Sequence, residues 1–184
     1  GATDPASLME DDTTLDAIAK LTLPRYRLSD YEDPRAATTP QDKQYLNDIR
    51  SGRGNVSGFV RVGLFKRPSS SGHSFILSLQ RQRARNELFI YAIDQKLQVP
   101  LGTFTDRQIS ISDEDLENDE PVGGSLESRY QELRQSAPAK TKWLNSTVFK
   151  STLRHDLVKD NELITSMLTR FGSWDSTRDT KVNA

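Results

Sequence analysis

Apolar residues recur with two different periods along this chain. In the segment 13–23, TTLDAIAKLTL, Leu15, Ile18 and Ala19 fall on one helical stripe. Thr13 or Thr14 can cap that helix, and Asp16 lies in its first turn, where negative charge is favoured. The helix must end before Pro24. Residues 24–42 hold three prolines and read as an ordered loop or extended arm. A second short helix is predicted over 40–49, with Pro40 early in it and Tyr45, Leu46 and Ile49 as its apolar edge.

From residue 56 the period changes to two. VSGFVRVGLFKR sets Val56, Val60, Val62 and Leu64 on one face and Phe59, Arg61, Phe65 and Arg67 on the other. SFILSLQ places Phe75, Leu77 and Leu79 on one face, and ELFIYAID is apolar on both. KLQVPLG and RQISIS supply a fourth and a fifth run, while Asn86 and Asp94-Gln95 suit turns. Connections this short favour an antiparallel meander over parallel crossovers. A strand apolar on both faces needs cover on both. Three C-terminal segments are predicted as the helices that provide it. The first, 125–135, has Ser125 as cap and Leu126, Tyr130 and Leu133 as stripe. The second, 141–153, carries Trp143, Leu144, Val148, Phe149 and Leu153. The third, 161–171, carries Leu163, Ile164, Met167, Leu168 and Phe171, with Asp160 or Asn161 as cap and Gly172 as stop.

The expected fold class is therefore α+β. An antiparallel meander of four to five strands spans about 56–111, covered by C-terminal helices and flanked by a short helical N-terminal arm. Residues 1–8 read as a leader left by expression, with the native start at Met9. The arm then covers 9–55 and a single domain 56–184, which includes an acidic linker at 112–124 and a polar tail at 173–184.

Composition narrows the chemistry. The 184 residues suffice for one buried core, but only 34% are hydrophobic, so part of the chain is expected in loops or tails. There is no cysteine, which excludes disulfides, thiolate metal sites and a cysteine nucleophile. An intracellular, cytoplasmic setting is the expectation. No run approaches the roughly 20 apolar residues of a membrane span, and no signal peptide is visible. His73 and His155 stand in no metal-binding pattern, and no serine occupies a G-x-S-x-G turn. Gly52, Gly54 and Gly58 precede a predicted strand, the reverse of the order a phosphate cradle needs. The acids of 113–120 lie in a linker without rigid support. The chain is thus expected to be no enzyme and to use no metal or cofactor.

Charge is segregated along the sequence. The blocks 1–50, 51–107, 108–128 and 129–184 carry net −4, +6, −7 and +4. In 79–89, LQRQRARNELF, Arg81, Arg83 and Arg85 stand two apart, so on an extended chain all three point one way. With Arg61, Lys66 and Arg67 they form either a solvated hairpin mouth or a contact patch, with Phe59 and Phe65 beside it to stack on bases. FVRVGLFKR is similar in its aromatic–basic alternation to sheet-based RNA binders but lacks their Gly-Phe-Gly core. Ser112, followed by Asp113, Glu114 and Asp115, resembles an acidophilic kinase site and is the candidate regulatory residue. Two functions are carried forward. One is a non-catalytic interaction or assembly protein, whose opposite charge blocks bind copies of itself or an adaptor partner. The other is a peripheral binder of RNA or anionic membrane through a basic sheet patch.

Overall fold

The segment expected to form the second and third strands is one continuous helix. A computed structural model describes residues 5–51, 61–66, 72–101, 124–139 and 141–172. The chain runs α1 (Pro5–Met9), α2 (Asp12–Lys20), two 3-10 turns (Pro24–Tyr26 and Leu28–Tyr31) and α3 (Pro40–Ser51). A helical stretch at 61–66, here α4, precedes α5 (Gly72–Asp94) and β1 (Gln98–Leu101). Then come α6 (Leu126–Ser136), β2 (Lys142–Asn145), a 3-10 turn (Ser146–Val148) and α7 (Thr152–Phe171).

The four-to-five-strand meander is thereby overturned. On α5 the buried residues Phe75, Leu79, Gln82, Asn86 and Phe89 follow one another at three or four, a helical stripe. Two of the five are polar, which hides the stripe from a purely hydrophobic reading. The first expected strand is helical over 61–66, and Val56, Phe59, Val60 and Arg67 lie outside the described residues. So does the fifth expected run, 107–112, with Ser112, as do 112–123 of the linker and the tail 173–184. Of the run KLQVPLG, Gln98–Leu101 does form a strand. β1 pairs antiparallel with β2, Gln98 opposite Asn145 and Leu101 opposite Lys142. The partner strand replaces a predicted helix: Leu144 is fully buried against Val99, and Trp143 packs half-buried on the outer side of the same core. Among the described residues the fold is mostly helical with one two-stranded ribbon.

Local chemistry accounts for the helices the pattern did predict. The Asp11 side chain, rather than Thr13 or Thr14, caps α2, accepting from the Thr14 N–H at 2.9 Å. Thr39 and Asp42 form a reciprocal box at the start of α3, each side chain accepting the other's backbone N–H at 3.0 Å. Ser125 caps α6 through the Ser128 N–H at 3.1 Å. Gly172 closes α7 at φ 69, a conformation open to glycine. That helix begins at Thr152, so Asp160 sits in its middle rather than at its cap.

The two long helices, α5 and α7, pack antiparallel. Asp94 meets Arg154 at one end and the Phe75 ring meets Phe171 at the other, centroids 5.8 Å apart. Buried apolar residues on this spine divide into two cores. The first gathers Leu88, Phe89, Ala92, Leu153 and Leu157 with Leu28, Tyr31, α3, the ribbon and Tyr130 of α6. The second gathers Phe75, Ile76, Leu79, Ile164, Met167 and Phe171 with Leu64 and the arm residues Met9, Ile18, Leu21, Leu23 and Tyr26. Leu8 packs half-buried on this second core, so residues ahead of Met9 take part in the fold.

Candidate functional site

A polar layer crosses the spine between the two cores. Its members come from three elements: Arg25 from the first 3-10 turn, Gln82 and Asn86 from α5, and Asp160 and Asn161 from α7. Arg25 is buried and donates from Nε to Asn86 Oδ1 at 2.8 Å and from Nη2 to Gln82 Oε1 at 2.6 Å. Gln82 in turn donates to the Tyr26 hydroxyl at 2.8 Å, and Asn86 to Asn161 Oδ1 at 2.9 Å. The guanidinium also lies 5.0 Å from the centroid of the Tyr26 ring. Beside this network, Asp160 is only 1% exposed. Its carboxylate accepts the Thr22 N–H at 2.8 Å, the Thr22 hydroxyl at 2.9 Å and the Leu23 N–H at 2.8 Å. Burial pushes its pKa above the ordinary aspartate value, against the three donors that pull it down. This layer fixes register between arm and spine, because each buried polar group has its partner on a different element.

The expected contact patch spans described and undescribed residues, Phe59 and Arg67 being among the latter, and its described members sit on helices. Helical geometry puts Arg83 roughly 160° around α5 from Arg81, while Arg81 and Arg85 stay on one side. Arg83 instead turns to α7, donating to Thr165 Oγ1 at 3.3 Å. Arg61 points inward from α4 and donates to the Leu21 carbonyl, and Phe65 packs on the second core. Lys66 is exposed on α4, and Arg81 and Arg85 are half-buried on α5. The basic sheet face on which RNA or membrane contact was to rest is therefore absent from the described residues, because those residues are helical. His73 is half-buried at the start of α5 and His155 is exposed on α7. Among the described residues no group of three His, Asp or Glu could hold a metal ion. Among them, too, no helix is long and apolar enough to cross a membrane.

What the spine presents outward is a shallow groove of about 530 Å³ between α5 and α7. Ile90 of α5 and Val158, Asn161, Glu162, Thr165 and Ser166 of α7 line it. The bidentate Arg154–Asp94 pair, 2.7 and 3.1 Å, stands at one end, and it holds the Asp94 carboxyl below its ordinary value. The Arg83–Thr165 contact stands at the other. From sequence, Asn161 reads only as a possible helix cap, and the other lining residues carry no functional signal. Short polar side chains on an amphipathic helix read as a solvated face, and Ile90 was assigned to a strand. Their only signal was the 3.6 period that α5 conceals.

On the opposite flank of α5, Tyr91, Tyr130 and Trp143 form an aromatic row with centroids 5.8 and 6.3 Å apart. Arg134 stacks over Trp143 at 4.1 Å, and Tyr130 donates to the Gln98 carbonyl at 2.7 Å. This row holds α6 on the ribbon. Comparison of the chain with protein-family models, with curated proteins and with solved structures gives no match.

Proposed function

We propose that the chain is a non-catalytic interaction protein that associates with copies of itself. The observation that supports this reading is the α5–α7 groove. Its lining joins the apolar Ile90 of α5 and Val158 of α7 to four polar groups, of which only Glu162 is charged. Such a surface suits an amphipathic protein segment laid along it better than it suits a phosphate backbone, which calls for clustered cations. Several arginines act as fasteners within the chain: Arg25, Arg61, Arg129, Arg154 and Arg170 all donate to its own groups. A second copy is the partner that the charge layout favours. The +6 and −7 blocks are complementary between copies, a head-to-tail contact.

Light scattering over a range of protein and salt concentrations tests this. The expected result is a mass that rises with concentration and falls with salt. Val158→Glu, which charges the groove lining without touching either core, is expected to weaken association at least about tenfold, as a charge forced into an apolar contact does. A monomer at every concentration and ionic strength rejects the proposal.

A further inference from the structure

Leu23 stands at φ 51, ψ 55, the left-handed region. Bulky residues rarely adopt it, and glycine or asparagine is the usual occupant. This residue is the joint between two parts of the arm. Upstream, residues 5–21 place Met9, Ile18 and Leu21 in the second core. Downstream, Tyr26 still packs in the second core, and from Leu28 on the arm belongs to the first, with Leu28 and Tyr31. The upstream piece is fastened at both ends to α7. Arg170 donates to Asp11 Oδ2 at 2.6 Å and to Thr14 Oγ1 at 3.2 Å. Asp160 receives the N–H groups of Thr22 and Leu23.

We infer that residues 5–23 exchange between two copies of the chain, with Leu23 as the hinge. Rotation at Leu23 into extended backbone removes the left-handed conformation and carries α1 and α2 off the spine. The face left behind is the apolar one of Phe75, Leu79, Ile164, Met167 and Phe171. The segment that fits it is the same arm from a second copy. That arm restores the three bonds to Asp160 and the two from Arg170, now between chains, and no new contact chemistry is needed. A short hinge under strain favours such exchange. The inference rests on the reading of the chain as self-associating and adds how two copies interlock.

The Thr22 hydroxyl and the Asp160 carboxylate touch at 2.9 Å, both on short side chains, and the chain has no cysteine of its own. One copy carrying Thr22→Cys and another carrying Asp160→Cys are mixed, unfolded in denaturant, refolded at high concentration and oxidised. The expected product is a disulfide-linked pair of the two different chains, at least about tenfold above either variant treated alone. Light scattering on the unsubstituted chain runs in parallel. Dimers without the mixed disulfide overturn arm exchange and leave self-association standing, whereas monomers throughout overturn both. Loss of Asp160 could itself impair folding, so Leu23→Asn provides a second test. The substitution makes left-handed backbone, which only the closed form requires, easier to adopt. The dimer-to-monomer ratio is expected to fall at least about threefold, following the several-fold preference of Asn for that region. An unchanged ratio overturns the hinge.

Discussion

The two cores along the α5–α7 spine are alike in chemistry and unlike in closure. The first is enclosed by α3, α6, both strands and the ends of the two long helices. Its walls are tied across long stretches of sequence. Asn145 of the ribbon donates to Asp42 of α3 at 3.1 Å, and Tyr130 of α6 reaches the Gln98 carbonyl. The second core takes Met9, Ile18, Leu21 and Leu23 from one arm that enters through a left-handed joint. Many walls share the load in one case, whereas in the other the arm, with Leu64 of α4, closes the core. Damage to the first core should therefore be global, and damage to the second should be felt first in the arm.

The largest expected effects test that contrast directly. Leu157→Ala in the first core and Ile164→Ala in the second both remove fully buried side chains from α7. Each should cost about 2–5 kcal/mol, the usual range for such truncations. Urea melts measure the totals, and amide hydrogen exchange measures the distribution. Leu157→Ala should lower protection everywhere together. Ile164→Ala should open the amides of α2 before those of β1 and β2. Equal loss of protection across both regions would break the comparison.

Next in size is Asp160→Ala, which acts at the boundary between the cores. It strands the Thr22 and Leu23 N–H groups, and an unsatisfied buried donor costs roughly 1–3 kcal/mol. The expected loss of stability is about 2–4 kcal/mol, with exchange at those two amides accelerated more than at any amide of the ribbon. If the ribbon opens first, the clamp does not separate the cores.

This boundary also explains what could and could not be read from the sequence. Elements set by local chemistry were legible: α2, α3, α6 with its Ser125 cap, the Gly172 stop and the β1 run. Helix α5 was not. Gln82 and Asn86 occupy core positions because Arg25, more than fifty residues away, bonds to both. Without that partner the stripe Phe75, Leu79, Gln82, Asn86, Phe89 looks interrupted, and the arginines at 81, 83 and 85 suggest alternation instead. Asp160 misled for the same reason. An acid before an apolar run reads as a cap, but its donors are Thr22 and Leu23. β2 reads as helix from its own residues because its pairing partner, Gln98–Leu101, lies far upstream in the chain. The sheet face expected to carry the contact patch is replaced by helices over 61–66 and 72–94, and the groove appears only once α5 and α7 are placed side by side.

A smaller effect is expected from Tyr130→Phe, which leaves the aromatic row in place and deletes one hydrogen bond from the better-closed core. The hydroxyl donates to the Gln98 carbonyl at 2.7 Å. Its removal should cost about 1 kcal/mol, with no preferential opening of the arm, since one bond among many ties carries little of the closure. A selective effect on α2 amides would place the arm under the control of the wrong core.

The smallest expected effect separates the two carboxylates that hold the arm. The Arg170 guanidinium bonded to Asp11 lowers that carboxyl below the ordinary value of 3.8, whereas burial raises the Asp160 carboxyl above it. The signs of their linkage to stability are therefore opposite. Asp11's contribution is fully present above about pH 3.8 and is lost as pH falls through its folded value. Asp160's is fully present below 3.8 and is lost as pH rises through its folded value. Stability of the native chain relative to Asp11→Asn should thus be flat above pH 4 and shrink below it, by under about 1 kcal/mol for so accessible a pair. Relative to Asp160→Asn it should grow as pH is lowered through the folded value of Asp160 toward 3.8. Urea melts of the three proteins across pH 3–7 give both curves. Curves that run parallel would mean that the two ends of the arm are held in the same way. The buried end would then be no more than another surface fastening.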